Sequence, residues 1–232
     1  MNSIYAIAGI DTGIGKTVVT GLIARHLRAS GRDAITVKMV QTGNSGQSED
    51  IAEHRRMCPG AVFREDALGL TAPQIFKYPS SPKLAAELEG RRVDLECISR
   101  AVKACSEAHE ITLVEMAGGL CVPLDGETLS VDFVAREGWS VILVTCGRLG
   151  AINHALLSLE ALRSRGMKLA GVVHDWHPDA SEPIDGDTVE TIGKYLEKYG
   201  FLRNIVKVPH IAGDRPWPDI DFSALFQSGN WA

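Results

Sequence analysis

GIDTGIGKT, residues 9–17, is the stretch that decides the fold. It resembles the pattern G-x-x-x-x-G-K-[ST], with five residues instead of four between Gly9 and Gly15, follows an apolar run typical of a β-strand and precedes a stretch with helical periodicity. In this motif the glycines let the backbone wrap around phosphate oxygens, and the N-terminus of the following helix supplies positive potential. Lys16 is expected to reach the β- and γ-phosphates, and the Thr17 hydroxyl to ligate magnesium. The sequence therefore predicts a site for a nucleoside triphosphate.

The chain around this loop alternates between apolar, β-rich runs and stretches with helical periodicity. The pattern predicts strands at residues 4–8, 34–40, 111–116, 140–146 and 169–174, helices at 16–29 and 151–164, and a surface loop at 175–187. Runs such as VILVT and LAGVV show no polar alternation, which is typical of parallel strands buried on both faces. We predict an α/β fold, a P-loop NTPase-like three-layer sandwich with a mostly parallel sheet and helices on both faces. Functional residues should then lie at the carboxyl ends of the strands.

The composition favours one domain. With 232 residues and 45% hydrophobic content, the chain can bury one substantial core, so we predict a single domain over residues 1–232 with a tail, 212–232, of uncertain structure. A net charge of −5 argues against a nucleic-acid binder, and no apolar run has membrane-spanning length. The N-terminus lacks a secretory pattern, and the five widely spaced cysteines favour a reducing compartment. We therefore expect a cytoplasmic protein with a small-molecule partner.

Two acidic side chains are candidates for binding the metal ion that accompanies a triphosphate. Glu115, in TLVEMAGGL, follows an apolar run, as the second magnesium-binding element of phosphate-loop proteins does. Asp50 begins a predicted helix in QSEDIAEHR, where an ordinary helix N-terminal acid would give the same pattern. Magnesium takes few protein carboxylates and keeps water and phosphate as its other ligands, so Thr17, Asp50 and Glu115 form a sufficient set.

Further polar residues follow another strand and begin another helix. Lys38 is expected at the carboxyl edge of the sheet near Thr42, where it can bind a second anion or extend its ammonium group to solvent. YPSSPKLAAELEG (78–90) and MAGGLCVPL (116–124) are candidate pocket walls, because their turns and glycines allow close approach to a ligand. Asn153 lies near the start of a helix, where it can meet a substrate carboxylate or serve as a helix-start or interface residue.

Six segments together resemble one enzyme family. GIDTGIGKT, VKMVQTG, EDI, YPSSPKLAAELEG, LVEMAGGLCVPL and VTCGRLGAINHALLSLEAL occur in the order, and at about the intervals, seen in dethiobiotin synthetases. The resemblance covers residues 4–175. Its VE-x-AGG-x-x-x-PL and G-x-LG-x-INHALL elements are far more specific than the phosphate loop.

The resemblance implies a cyclo-ligase of biotin biosynthesis that uses Mg²⁺, ATP or another nucleoside triphosphate, CO2 and 7,8-diaminononanoate. One amine of the diamine captures CO2 as a carbamate, the carbamate attacks the γ-phosphate, and the other amine displaces phosphate to close a cyclic urea. The family also implies a homodimer with the diamine between subunits. Since no covalent enzyme intermediate is needed, positioning and charge neutralisation should carry most of the catalysis.

The resemblance also implies a role for each site residue. The implied catalytic residues are Lys16, Lys38 and Thr12; the nucleotide-binding residues are Gly13, Ile14, Gly15, Lys16, Thr17, Glu115, His174 and Asp175; the substrate-binding residues are Thr12, Lys38, Thr42, Gly118 and Asn153; and the metal ligands are Thr17, Asp50 and Glu115.

The chain departs from the family where His174 replaces the asparagine that usually helps to read adenine. A neutral imidazole has one donor and one acceptor on opposite sides of its ring, so the choice of base stays open. Gly13 and Lys83 replace an acidic residue and a histidine, which affects diamine recognition.

Three other functions of the same fold remain as alternatives. A regulatory ATPase of the ParA or MinD kind would carry an additional early lysine in K-G-G-x-x-K-[ST], where this chain has Asp11 or Thr12. A non-catalytic nucleotide sensor would tolerate the loss of Lys38 or Glu115, and both are present. An amide-forming ligase of cobalamin synthesis is expected to have a second, glutamine-hydrolysing domain.

Overall fold

A parallel sheet forms the centre of the protein. The computed structural model describes residues 3–211 and 217–226. Within them the strands are β1 (Ser3–Gly9), β2 (Ala34–Lys38), β3 (Gln41–Thr42), β4 (Ile75–Phe76), β5 (Ile111–Gly119), β6 (Ser140–Cys146), β7 (Leu169–Asp175) and β8 (Ile205–Val208). Six of these described strands form one sheet in the order β2-β5-β1-β6-β7-β8, with every neighbouring pair parallel, and β3 and β4 form a separate parallel pair.

Helices cover both faces of this sheet. They are α1 (Lys16–Ala29), α2 (Glu49–Met57), α3 (Arg64–Ala67), α4 (Pro82–Leu88), α5 (Leu95–Ala108), α6 (Ser130–Glu137), α7 (Ala151–Arg163) and α8 (Glu182–Lys198), with a 3₁₀ turn at Ser223–Phe226. Successive residues of β2, β5, β6 and β7 are buried, and successive side chains of a strand point to opposite faces. The predicted three-layer α/β sandwich is therefore confirmed. None of the helices in the described ranges combines the length and apolar character needed to cross a bilayer.

The predicted loop over residues 175–187 is wrong in its second half, where α8 begins. Pro183 occupies the first turn of this helix, where its missing N–H breaks no helical hydrogen bond and its fixed φ suits the helix. Glu182 and Asp185 are acidic residues of the same turn, a placement that the helix dipole favours. Because the helix begins with polar residues, the sequence pattern did not indicate its apolar side, which includes the buried Ile192.

The described part of the C-terminal tail packs onto the core. Phe222 and Leu225 are each 1% exposed. Nδ2 of Asn204 donates to the carbonyl oxygens of Ala170 and Ala224, both at 2.8 Å, which fastens the 3₁₀ turn to β7. The tail of uncertain structure expected over 212–232 is thus ordered at 217–226, while 212–216 and 227–232 lie outside the described residues.

Phe222→Ala is expected to lower the free energy of unfolding by about 3–5 kcal/mol, because it removes a fully buried ring and leaves a cavity. Chemical denaturation measures the loss. Asp219→Ala is the control in the same segment, since its side chain is 95% exposed and its removal should change stability by less than about 0.5 kcal/mol. Equal effects of the two substitutions would show that the tail contributes nothing to the core.

Candidate active site

The phosphate loop connects β1 to α1 through backbone that only glycine adopts without strain. Gly13 and Gly15 have φ values of 70° and 91°. Thr12 and Gly13 are exposed, whereas the Ile14 side chain is only 2% exposed and belongs to the core. Any contact between Ile14 and a phosphate must therefore come from its backbone.

Lys16 begins α1 and is folded back over the loop. Its Nζ donates to the carbonyl oxygen of Asp11 at 2.7 Å. A Cβ atom at Gly9 would lie 2.8 Å from this Nζ, so the absence of a side chain at Gly9 makes room for the lysine. Burial, followed by the nearby charge of Lys38, lowers the pKa of Lys16 to about 8. An anion bound here would favour the protonated lysine.

Lys38, the last residue of β2, faces Glu115 in the middle of the neighbouring strand β5. The parallel register pairs them directly, and Nζ of Lys38 lies 2.8 Å from Oε1 of Glu115. Asp50, in the first turn of α2, brings Oδ2 to 2.5 Å from the same Nζ. Lys38 and Glu115 are buried, so the ammonium group compensates two carboxylates in a region with little solvent screening.

The pKa values of these groups follow from their pairing. Burial alone would raise the pKa of Glu115, but the Lys38 charge and the contact with His54 hold it far below its usual range. Burial alone would lower the pKa of Lys38, but Glu115 and Asp50 raise it above its usual value. Near neutral pH the carboxylate and the ammonium group are both charged.

The oxygen donors beside this ion pair suit a hard divalent cation. Oγ1 of Thr17 donates to Oε1 of Glu115 at 2.9 Å, and Asp50 and Glu115 share the Lys38 ammonium group. Within residues 3–211 and 217–226, no group of three or more His, Cys, Asp or Glu side chains could hold a metal alone. A hydroxyl and two carboxylates fit Mg²⁺ when phosphate and water supply its remaining ligands.

A cleft of about 270 Å³ joins these features, and we call it the phosphate cleft. The site residues predicted from the sequence that line it are Thr12, Gly13, Gly15, Lys16, Thr17, Lys38, Thr42, Asp50, Glu115 and Gly118. Those that do not line it are Ile14, Asn153, His174 and Asp175. At Gly118, with φ of 67°, a Cβ atom would lie 3.5 Å from Oγ1 of Thr12, so the two loops approach closely across the cleft.

A larger cavity of about 670 Å³ lies beside α4, between Lys83, Arg92 and Asp125. Its charges are partly paired with one another, as in the contact of 2.7 Å between Lys83 and Glu87. It contains neither the phosphate loop nor the buried carboxylate. The chemistry therefore belongs to the smaller cleft, where the perturbed lysines and Glu115 converge.

Asn153 is exposed at the start of α7 and does not reach the phosphate cleft of its own chain. The same end of α7 carries two exposed leucines, Leu149 at 85% and Leu157 at 62%. Isolated exposed leucines are ordinary, but these lie near a residue that the resemblance assigns to substrate binding. The neighbouring His154 lies 3.5 Å from the Asp11 carboxylate of the phosphate loop.

His174 is buried at the end of β7 with both ring nitrogens engaged. Nδ1 lies 3.0 Å from Oγ1 of Thr145, and Nε2 lies 2.7 Å from Oδ1 of Asp185 on α8. Burial lowers the pKa of His174, against the contact with Asp185, which raises it. The ring therefore joins β6 to α8, and neither nitrogen is available to a base in this arrangement.

The Asp175 carboxylate lies directly against the phosphate loop. A Cβ atom at Gly15 would lie 1.7 Å from its Oδ2, which places the carboxylate in the space of the missing side chain. Burial raises the pKa of Asp175 to about 7, against the backbone hydrogen bond from Trp176, which lowers it. Near neutrality this group therefore exchanges a proton beside the loop that receives phosphates.

Asp175→Asn is expected to flatten the dependence of stability on pH. The folded-state pKa of about 7 exceeds the ordinary value of 3.8, so between these values the folded protein binds the proton that the unfolded chain has lost. Raising the pH through this window destabilises the wild type, with a slope of up to about 1.4 kcal/mol per pH unit, and the loss ends above about pH 7. Denaturation of both proteins from about pH 5 to pH 8 measures the difference. Parallel curves would contradict the raised pKa.

His54 contacts the buried carboxylate, although no motif in the sequence pointed to it. Its Nε2 lies 2.9 Å from Oε2 of Glu115, and the side chain is fully buried. The available signal was its spacing of four residues from Asp50 in a predicted helix, which places both on one face. A second contact that the sequence did not predict lies beside the loop, where Arg148 donates to the Asp11 carboxylate.

Comparison with solved structures supports the fold alone. A ParA protein of pNOB8 bound to nonspecific DNA has a TM-score of 0.54, with 14% identity over 85% of this chain and 75% of that one. A MinC:MinD cell division complex from Aquifex aeolicus contains a chain with a TM-score of 0.53 and 14% identity, over 89% of this chain and 81% of that one. Both comparisons agree with a phosphate-loop ATPase architecture.

Comparison with curated sequences identifies the family. A model described as an AAA domain matches residues 4–213. An ATP-dependent dethiobiotin synthetase of Chlorobaculum tepidum is 43% identical over 96% of this chain and 88% of its own length. Another, from Pasteurella multocida, is 41% identical over 86% of this chain and 93% of its own. With this identity over nearly the whole length of both relatives, the chain belongs to the dethiobiotin synthetase family.

Proposed function

We propose that the protein converts 7,8-diaminononanoate, CO2 and ATP into dethiobiotin, ADP and phosphate in biotin biosynthesis, with Mg²⁺ as cofactor. The observation that carries this proposal is the convergence of Lys16, Lys38 and Glu115 in the phosphate cleft. The 43% identity to the Chlorobaculum tepidum synthetase supports the choice of reaction. The enzyme is accordingly a ligase that forms the C–N bonds of a cyclic urea.

The phosphate loop binds the triphosphate. Gly13, Gly15 and the backbone of Ile14 provide N–H groups around the β- and γ-phosphates, and the α1 dipole favours their charge. Lys16 exchanges its contact with the Asp11 carbonyl for phosphate oxygens. The negative phosphates favour the protonated form of this lysine.

Thr17, Asp50 and Glu115 would hold Mg²⁺, which neutralises charge on the phosphate oxygens when bound. Two observations support this set: the contact between Thr17 and Glu115, and the position of Asp50 across the Lys38 ammonium group. Glu115 is ionised well below neutral pH because of its pairing. It therefore stays an anionic ligand over the physiological range.

Lys38 and Thr12 act on the carbamate that forms when one substrate amine captures CO2 and loses a proton. A carbamate oxygen then attacks the γ-phosphate, the bond to ADP breaks, and the second amine later displaces phosphate from the mixed anhydride. Carbamate and phosphate ~4 Å apart repel by roughly 4 kcal/mol at an effective dielectric near 20. The Lys38 ammonium offsets much of this repulsion, while Thr12, Thr42 and the close approach at Gly118 orient the carbamate end.

The diamine lies between two copies of the chain in this proposal. Asn153 is exposed and does not line the phosphate cleft of its own chain, which supports a role for it at the substrate of the partner subunit. Leu149 and Leu157, both exposed, supply apolar area around it.

All five cysteines are free, which fits the reducing cytoplasm where we place the reaction.

His174 and Asp175 act at the nucleoside end. Asp175 packs against Gly15, and His174 holds Asp185 at the first turn of α8, so His174 shapes the base site through Asp185. Both imidazole nitrogens of His174 have protein partners, so in this arrangement His174 has no nitrogen left to bind adenine. ATP and CTP should therefore be compared directly.

The decisive experiment measures phosphate release with Mg²⁺ and bicarbonate, from ATP and separately from CTP, with and without 7,8-diaminononanoate. Dethiobiotin is followed by mass spectrometry. Diamine-dependent release matched by dethiobiotin is expected, and the two nucleotides are ranked in the same assay. Release that ignores the diamine, or no release, would overturn the proposal in favour of a regulatory ATPase or a nucleotide sensor.

A further inference from the structure

Glu115 has two carboxylate oxygens with different partners. Oε1 faces Thr17 and Lys38 in the phosphate cleft, at 2.9 and 2.8 Å. Oε2 points the other way, toward Nε2 of His54 at 2.9 Å. The contact at Oε2 therefore fixes the rotation of the carboxylate, and with it the direction of the oxygen that serves the cleft.

Hydrogen-bond counting assigns the proton on His54. The ionised Glu115 is acceptor-only, so Nε2 must donate to it. Nδ1 lies 3.0 Å from Oγ1 of Thr36, which also accepts from Nη1 of Arg55 at 2.7 Å. The Thr36 hydroxyl has its own proton left to donate to Nδ1. Donors thus run in one direction, from Arg55 through Thr36 and His54 to Glu115.

The outer end of this chain of hydrogen bonds is held by an ion pair. Nε and Nη2 of Arg55 donate to the two carboxylate oxygens of Asp66, each at 2.8 Å. The guanidinium also stacks over the Phe63 ring, 4.3 Å from its centroid. A bidentate pair of this kind fixes orientation as well as charge. Arg55 is therefore a fixed starting point for the Thr36 contact.

The secondary structure places the chain beside the cleft. Asp50 and His54 are four residues apart on α2 and so lie on one face of the helix. Thr36 and Lys38 are two residues apart on β2 and so point to one side of the sheet. Each element contributes one residue to the cleft and one to the chain of hydrogen bonds that ends at Glu115.

We propose that His54 is a positioning residue that donates a hydrogen bond to Oε2 of Glu115 and so directs Oε1 toward Thr17 and the metal site. This inference rests on the proposed function for the identity of the metal. Partners that orient metal ligands typically change metal affinity or activity about 10- to 100-fold when removed. Without the imidazole, one carboxylate oxygen is buried without a donor, and the group can rotate.

Three substitutions at position 54 test the role of each ring nitrogen separately. His54→Gln places an amide N–H near the position of Nε2 and keeps the donor to Glu115. His54→Asn reaches only the neighbourhood of Nδ1 and keeps the side facing Thr36. His54→Leu keeps bulk and removes both.

The variants are compared by kcat, by the Mg²⁺ concentration for half-maximal activity, and by Mn²⁺ binding with a non-hydrolysable ATP analogue, followed by electron paramagnetic resonance. His54→Leu and His54→Asn are expected to weaken Mn²⁺ binding about 10- to 100-fold and to lower kcat. His54→Gln should stay within about threefold of wild type, and the KM for the diamine should change least. Equal behaviour of the Gln and Asn variants, or unchanged Mn²⁺ affinity in folded His54→Leu, would overturn the proposal.

A measurement on the wild type covers the case in which buried variants fail to fold. Nitrogen-15 spectra of the histidine rings at neutral pH report which nitrogen is protonated, and mild Thr36→Ser perturbation helps to identify the His54 signal. A proton on Nε2 is expected, and a bare Nε2 would overturn the inference. Mn²⁺ binding and these spectra need no turnover, so they test His54 even if dethiobiotin is not the product.

Discussion

Lys38→Met is expected to lower dethiobiotin formation about 1,000-fold while ATP affinity changes by less than about tenfold. The substitution keeps most of the length of the side chain and removes the ammonium group that pairs with Glu115 and Asp50. Loss of one preorganised charge at a developing anion typically costs a factor of 100 to 1,000, and the carbamate–phosphate repulsion adds to it. Product is quantified by mass spectrometry, and ATP binding by equilibrium titration.

The controls for Lys38→Met address stability and specificity. Removing one partner of a buried ion pair costs about 3–5 kcal/mol of stability, so thermal unfolding must show that the variant is folded at the assay temperature. Lys103→Met removes a lysine whose side chain is 75% exposed and should leave turnover unchanged. A parallel loss of turnover and ATP affinity would contradict the assignment of Lys38 to the carbamate.

Gly15→Ala is expected to weaken ATP binding by about 100-fold or more. An alanine at this position must adopt φ of 91°, and its Cβ atom would lie 1.7 Å from the Asp175 carboxylate. The left-handed conformation costs about 1–2 kcal/mol, and the overlap forces either the loop or β7 to move. Titration with ATP measures the effect on the phosphate loop, and circular dichroism checks that the fold is kept.

Gly13→Ala is the matched control, because φ is 70° there and a Cβ atom would have no neighbour within 4 Å. It should cost only the conformational strain, which is about a tenfold loss of affinity. In the double variant Gly15→Ala with Asp175→Ala, the overlapping carboxylate is gone, and affinity should return to the Gly13→Ala level. If Gly13→Ala and Gly15→Ala are equal, packing against Asp175 has no part in the loop's function.

Most of the fold could be predicted from the sequence, and ten of the predicted site residues line one cleft. The apolar runs without polar alternation predicted the central parallel strands, and strand ends then predicted where Lys38 and Glu115 would meet. The start of α8 was missed because its first turn is polar and contains Pro183, which resembles loop sequence. Local patterns detect an apolar face only once the helix has completed several turns.

The residues that were missed or misplaced make contacts that depend on tertiary packing. The periodicity of the sequence contains no information about that packing. His54 lies on the Asp50 face of α2, but its contact with Glu115 depends on how α2 is rotated against the sheet. His174 lies near the end of its strand, within the predicted range, yet the approach of Asp185 from α8 occupies its Nε2. That contact could not be anticipated while α8 was predicted to be loop. The sequence thus located the central strands well, although two of their ends differ by two or three residues, and it located the partners of buried polar groups poorly.

The strand order affects how the protein folds while it is being synthesised on the ribosome. β1 lies between β5 and β6 and is synthesised before both, so it has no partner in the described sheet until β5 has emerged and is enclosed only after residue 146. At about 5–20 residues per second, the interval from β1 to β6 is on the order of ten seconds, and such non-local parallel pairing is slow in itself. The nascent phosphate loop has no rigid support during this time, so ATP cannot guide the early steps of folding. The apolar N-terminal strand must instead be shielded by its own helix α1 or by a chaperone until the later strands arrive.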